Sequence, residues 1–296
     1  MTFHERLRTD IEAVESALDA AICLRSSSQQ VVIDAMRYSL LGGGKRIRAV
    51  LALEVCAALG GDRAAALPAA CALEMVHAYS LIHDDLPCMD DDDLRRGKPS
   101  CHIAFGEAVA VLAGDGLQTC AFEHLSDGRA VSLLGAERAL RLVRCISTAI
   151  GASGMLGGQT IDVTKEGVCL TPDAHREMVQ MKTGALLRAA VECGCICAGA
   201  GEEKTALALR FGEAVGTAFQ VTDDILDVEG DKDRLGKPVG SDADQKKNTF
   251  VTVLGLEGAR AEEKRLYAEA QDVLSVLCPD NGFLPILVRS LEGRDF

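Results

Sequence analysis

The run His77-Ala-Tyr-Ser-Leu-Ile-His-Asp-Asp-Leu-Pro-Cys-Met-Asp-Asp-Asp-Asp-Leu-Arg-Arg-Gly97 constrains this chain more than any other. An apolar helical stretch ends there in six aspartates and two arginines, which neither a core nor an ordinary surface requires. Asp84, Asp85 and Asp90 form a DDxxxxD pattern, and Asp223-Asp224-Ile225-Leu226-Asp227 supplies a DDxxD cluster about 140 residues later. Clustered carboxylates raise one another's pKa and repel unless cations sit between them. Hard oxygen ligands with few dedicated protein bonds suit Mg²⁺ carrying a phosphate substrate. In DDILD the first and last aspartates are i and i+4, on one helix face. In the first cluster Pro87 distorts the helix, so a local bulge is expected to bring Asp84 and Asp90 together. An EF-hand fails, because a loop opened at Asp90 would put Arg95 at the glycine position and Cys101 at the bidentate glutamate. Two such clusters on apolar helices point to one shared metal and diphosphate site.

The bulk numbers narrow the partners. With 48% hydrophobic and 25% charged residues, a chain of 296 can bury a large core, and nothing in it marks an internal boundary. A net charge of −13 argues against nucleic acid, which needs a basic footprint, so acidic substrates must be met by local positive charge. The cysteines, for example Cys56, Cys71, Cys120 and Cys145, lie scattered in apolar helical runs and read as small buried hydrophobes in a reducing compartment. Cys193, Cys195 and Cys197 alternate, yet that spacing does not face one way on a helix, and no paired CxxC appears. The N-terminus lacks a hydrophobic signal core, and no apolar run is expected to reach the roughly 18 residues of a membrane span. A soluble, cytoplasmic protein is expected.

Helix propensity is high almost everywhere, and no βαβ alternation appears. Apolar positions recur at three and four over 3–22, 31–41, 46–59, 65–85, 103–125, 136–151, 173–197, 203–228, 258–277 and 283–291. This predicts an all-α fold, a single bundle around a pocket. The segments 65–85 and 203–228 are apolar nearly all round, which marks them as central, and both end in an aspartate cluster.

Other motifs supply the cations. Gly42-Gly43-Gly44-Lys45-Arg46-Ile47-Arg48 fails the P-loop pattern, because Arg46 follows the lysine and no strand precedes. It reads as a glycine turn opening a helix, where backbone amides with Lys45 and Arg48 could cradle an anion. Arg95 and Arg96 match diphosphate oxygens better than lysines would and, as sequence neighbours, could each hold a different diphosphate. His83 could orient the aspartates, although packing is the commoner role. Gln159 and Asp162 share a helical face suited to supporting hydrogen bonds, and Lys182-Thr183 sits on the next helix. Gly236 to Asp242, with Lys246-Lys247 beyond, reads as a lysine-bearing lid over phosphate.

HDDLPCMDDDDLRRGKP, with LGGGKRIR upstream and GGQTID, MKTGALL, FQVTDDILD and GKPVGSDADQKKNTF downstream, resembles the trans-polyprenyl diphosphate synthases, and among them the bacterial farnesyl diphosphate synthases. The match runs in order across nearly the whole chain. It implies an isoprenoid-synthase bundle around a central prenyl pocket, one polyprenyl synthase domain over 1–296, and a homodimer. The implied reaction is head-to-tail condensation of dimethylallyl or geranyl diphosphate with isopentenyl diphosphate, releasing pyrophosphate. The resemblance places three Mg²⁺ on Asp84 and Asp90 and on Asp223 and Asp227, with Asp85 and Asp224 supporting. It gives Lys45, Arg48, His77 and Arg96 to the isopentenyl diphosphate pocket, and Arg95, Lys182, Lys237 and Lys247 to the allylic diphosphate. Thr183 and Gln220 would stabilise the carbocation, and departing pyrophosphate can take the proton. Ser80 and Tyr79, four and five residues before Asp84, lie roughly 6 to 7.5 Å deeper along the helix; a bulky Tyr79 would stop growth at fifteen carbons. The valine in Lys237-Pro-Val-Gly240 and the short Arg294-Asp295-Phe296 tail depart from the pattern. A ten- or twenty-carbon synthase, a terpene cyclase and a silent partner subunit are the alternatives; intact aspartate clusters and the cations Lys45, Arg48 and Arg96 weigh against the last two.

Overall fold

The structure, a computed structural model, describes residues 1–22, 28–229 and 248–293. Fifteen α-helices are present among them: α1 (Phe3–Ala21), α2 (Gln30–Leu40), α3 (Ile47–Ala58), α4 (Arg63–Asp84), α5 (Cys101–Phe105), α6 (Glu107–Ser126), α7 (Gly128–Leu134), α8 (Ala136–Ile150), α9 (Met155–Thr164), α10 (Pro172–Val179), α11 (Ala185–Ala198), α12 (Glu202–Glu229), α13 (Phe250–Leu254), α14 (Leu256–Leu277) and α15 (Leu284–Gly293). A π-helical turn, Gln180–Gly184, joins α10 to α11, and β1 (Leu94–Arg95) pairs antiparallel with β2 (Lys98–Pro99). The fold is the expected all-α bundle.

Burial follows the patterning. Helix α4 packs between α3 and α6, and α12 packs on α11 and α14, so both predicted central helices are central. Helix α11 belongs with them, because Leu186, Leu187, Ala189 to Val191 and Cys193 to Cys197 are all buried. The alternating cysteines are therefore inside whichever way they point, each thiol pushed up in pKa, Cys195 and Cys197 to about 12 mainly by burial. Cys193 Sγ lies 3.9 Å from Cys145 Sγ, and every cysteine among the described residues is unbridged. Cys88 and Cys169 are exposed and Cys120 only partly buried, an exception to the expected burial. Helix α1 is pinned by Arg6 to Glu54 of α3, which also accepts from Arg63 at 3.0 Å.

Several boundaries differ from expectation for local reasons. The predicted helix over 103–125 is broken at Gly106, whose φ of 85° ends α5. The predicted helix over 173–197 is interrupted by the π turn. Residues 128–134 form α7, capped by Asp127 accepting from Ala130 N at 2.7 Å. The expectation that no apolar run reaches membrane-spanning length is corrected: Arg63–Asp84 and Ala136–Thr164 are long and apolar enough by length and composition. The first, with 67% of its apolar window buried, is a core helix of this bundle.

Candidate active site

The expected bulge before Asp90 does not occur. Helix α4 stops at Asp84, ahead of Pro87, and the chain turns back on itself. Asp90 N donates to Asp84 O at 2.9 Å and Asp91 N to Leu86 O at 3.2 Å, with Asp91 in the left-handed region at φ 54°. The turn carries Asp90 back beside Asp84 without bending the helix. Next comes the hairpin, whose central residues Arg96 and Gly97 both have positive φ, 53° and 72°, as a tight two-residue turn demands. That geometry separates the two arginines. Arg95 Nε donates to Asp85 Oδ1 at 2.9 Å and its Nη2 to Asp92 at 3.2 Å, while Arg96 Nη1 donates to Gly43 O.

The glycine run is where Arg96 lands. A Cβ at Gly44 would come 2.8 Å from the Arg96 guanidinium carbon and displace it, and the φ of 133° there is one that residues other than glycine rarely adopt. Arg46, left-handed at φ 52°, turns inward to Glu74 at 3.4 Å and Leu40 O at 2.8 Å, and so anchors the turn. Lys45 is exposed, while Arg48 is partly buried with its Nε lacking a hydrogen-bond partner among the described residues. The positive field is felt at His77: burial, then Arg48, Arg96 and Arg95, hold its pKa well below the usual range. The imidazole thus sits in the positive field of three guanidinium groups.

A cavity of about 530 Å³ opens beside this corner. Its walls include Arg48, His77, Tyr79, Ser80, Asp84, Lys182, Thr183, Gln220 and Asp223, so both aspartate clusters reach one space. Asp90 and Asp227 are not among its lining residues, and Asp227 is only 3% exposed. Arg95 and Arg96 line a neighbouring cleft with Gly42 and Asp85. Met89, Val111, Leu156 and Phe219 complete an apolar wall that the sequence motifs did not indicate. His83 does not orient the aspartates. Its Nε2 lies 3.1 Å from Val111 O and its ring meets Tyr79 edge-on at 5.8 Å. Lys237 and Lys247, with the rest of the expected lid, lie outside the described residues.

The π turn explains how Lys182 and Thr183 both reach the cavity. Neighbours on an α-helix diverge by about 100°; the wider turn redirects them, as such insertions do at functional sites. Glycines admit its bulk. A Cβ at Gly158 of α9 would come 2.6 Å from Lys182 Cα, and one at Gly216 of α12 would come 3.0 Å from Gly184 Cα. Lys182 Nζ meets Asp162 Oδ2 at 2.5 Å. Burial opposes the lysine's charge, but Asp162 and Asp84 outweigh it and raise its pKa. Thr183 Oγ1 donates to Gln220 Oε1 at 2.9 Å, Gln220 Nε2 donates to Asp224 Oδ1 at 2.8 Å, and Asp224 Oδ2 accepts from Phe250 N at 2.7 Å.

Asp84 is a strained carboxylate on the cavity wall. Burial, relieved in part by Lys182 and worsened by Asp90 and Asp85, pushes it up to about 6. A cation beside it would remove that penalty. Among the described residues no group of three or more His, Cys, Asp or Glu side chains is gathered tightly enough to hold a metal ion alone. An all-carboxylate donor set around an open cavity fits a hard divalent ion that takes its remaining oxygens from a diphosphate and water.

The family model for polyprenyl synthetases matches residues 29–273. The chain belongs to the polyprenyl synthetase family. A farnesyl diphosphate synthase of Geobacillus stearothermophilus is 44% identical to this polyprenyl synthetase over 295 residues, covering 100% of this chain and 99% of the relative. The large subunit 1 of the heterodimeric chloroplastic geranylgeranyl pyrophosphate synthase of Arabidopsis thaliana is 45% identical over 275 residues, 92% of this chain and 74% of that one. Among solved structures, a geranyltransferase from Helicobacter pylori, complexed with magnesium and isoprenyl diphosphate, superposes with a TM-score of 0.87 at 33% identity, covering 99% of this chain and 97% of that one. The chain is a prenyltransferase of that family, and these relatives include both farnesyl and geranylgeranyl diphosphate synthases.

Proposed function

We propose that the protein condenses dimethylallyl diphosphate and then geranyl diphosphate with isopentenyl diphosphate, releasing pyrophosphate and stopping at (2E,6E)-farnesyl diphosphate. The observation that carries this reading is the single cavity in which an arginine and histidine corner, two aspartate clusters, Lys182 and a Tyr79 wall meet. The whole chain acts as one polyprenyl synthase domain.

The isopentenyl diphosphate is held by Arg48, His77 and Arg96, with Lys45 at the exposed edge. The allylic diphosphate is held by Lys182 and Arg95, and by Lys237 and Lys247 on the strength of the family resemblance. Asp84, Asp90, Asp223 and Asp227 would hold Mg²⁺, three ions by that resemblance. Bound there, the metal neutralises charge on the leaving pyrophosphate. Lys182, kept protonated by Asp162, adds fixed positive charge where the leaving group gains negative charge. The allylic C1–O bond breaks with its electron pair departing on pyrophosphate. The isopentenyl double bond forms the new carbon–carbon bond to C1, and a proton from the adjacent methylene passes to pyrophosphate, so no protein base is assigned. Thr183, fixed by Gln220, and Gln220, fixed by Asp224, present their oxygens to the reacting carbon.

Tyr79 supports the fifteen-carbon product. It is 9% exposed, edge-on to His83, and about one helical turn below Asp84. Incubating the protein with Mg²⁺, labelled isopentenyl diphosphate and each allylic diphosphate, then chromatographing the dephosphorylated products, tests the reading. Farnesol is expected as the end product, with Tyr79→Ala shifting it to twenty carbons or longer. Geranylgeraniol from the unaltered protein would refute the floor, and cyclic hydrocarbon would refute the condensation. Exposed Leu112 on α6 and Leu140 on α8, 57% and 69% accessible on neighbouring helices, support pairing with a second copy as a homodimer, which light scattering would check.

A further inference from the structure

Gln159, on α9, lines the same cavity as Asp84, Lys182, Thr183, Gln220 and Asp223. Both ends of its amide, Oε1 and Nε2, are buried and have no hydrogen-bond partner among the described residues. Burying an amide unpaired carries a free-energy penalty, and such groups in a native protein call for an explanation. The placement is enforced by packing, since Gly158 lets α9 press against the backbone of Lys182. This fixes Gln159 beside the π turn that carries Lys182 and Thr183.

Two other neutral polar groups of the cavity, Thr183 and Gln220, already engage one another. Thr183 Oγ1 donates to Gln220 Oε1, and Gln220 Nε2 donates to Asp224. One lone pair of the Gln220 carbonyl is thus committed, whereas the Gln159 carbonyl has both. The diphosphate end of the cavity is supplied with cations, including Lys182 and Arg48. The carbon that becomes positive when the allylic C1–O bond breaks needs a negative dipole instead.

We propose that Gln159 is a catalytic residue whose side-chain carbonyl faces the allylic carbon and stabilises its positive charge during ionisation. This rests on the prenyl diphosphate reading above. It assigns to Gln159 a charge-stabilising role in place of hydrogen-bond support.

Calorimetric titration of two geranyl analogues in Mg²⁺ tests it: a thiolodiphosphate neutral at the reacting carbon, and one bearing an ammonium nitrogen near that carbon. Gln159→Leu should weaken the ammonium analogue about tenfold or more, as loss of a charge-assisted contact does, and change the neutral one less than twofold. The thermal midpoint of the free protein should not fall, because the amide supports nothing in its absence. Gln159→Glu, which keeps an oxygen and adds charge, should favour the ammonium analogue relative to the neutral one. Equal weakening of both analogues, or a lowered midpoint with an unchanged preference, would overturn the assignment. Binding of neither analogue by the unaltered protein would overturn the prenyl diphosphate reading itself.

Discussion

The two aspartate clusters begin with the same pair of letters and are built by different means. At the first, a helix ends and a backbone turn returns Asp90 to Asp84; at the second, Asp223 to Asp227 lie inside the uninterrupted α12. Yet the labour divides alike within each pair. Asp84 and Asp223 line the cavity, while Asp85 and Asp224, 2% and 3% exposed, are consumed by structure. Asp85 accepts from Arg95, and Asp224 accepts from Gln220 Nε2 and Phe250 N. Identical neighbours in sequence thus supply one group that lines the cavity and one that fixes its wall.

Replacing the cavity-facing members should have the largest effect. Asp84→Ala and Asp223→Ala are each expected to lower turnover by about 10²–10³-fold, the scale on which a preorganised electrostatic group acts. Asp84→Ala should stabilise the free protein in urea, since it removes a carboxylate that burial disfavours. A large fall in urea midpoint for Asp84→Ala would show that the division within its pair is wrongly drawn.

The wall-fixing members should instead lose stability. Asp85→Ala leaves the Arg95 guanidinium without its principal acceptor and should cost about 1.5–3 kcal/mol, the range for hydrogen bonds to charged groups. Asp224→Asn sets an amide NH₂ against either Gln220 Nε2 or Phe250 N, a loss of about 1–2 kcal/mol. Urea unfolding of both variants checks this, and an unchanged midpoint in either would show that the residue fixes no part of the wall.

Much of this was legible in the sequence. Apolar periodicity located the bundle and two of its three central helices, because burial all round leaves no polar stripe. Asp84, Asp223, Lys182, Thr183 and Gln220 line one cavity. What stayed hidden depends on backbone geometry that letters do not spell. The π turn, the six-residue return at Asp90 and the left-handed Arg46 each override a plausible helical reading. Gln159 was visible in GGQTID as a polar residue on a helix face, but its unmet amide emerges only when Gly158 is seen against Lys182. Asp162 gained its partner, Lys182, in the same way.

The smallest expected effect concerns the arginine corner. His77 has its pKa depressed in the folded protein by burial and by Arg48, Arg96 and Arg95, so the fold binds fewer protons there than the unfolded chain. Its contribution is complete above the unfolded value near 6.5 and is lost as pH falls below it toward the folded value. His77→Gln should therefore flatten the decline in stability on acidification below that point. An unchanged pH dependence of urea midpoints would show that the corner exerts no such field.

The most direct test of two clusters serving one leaving group is a double-variant cycle on steady-state condensation of geranyl with isopentenyl diphosphate, comparing Asp84→Ala, Asp223→Ala and the pair. Residues acting as one unit are strongly non-additive, so the double variant should be no slower than the slower single. Losses that multiply would mean that the clusters act independently and would contradict a shared site.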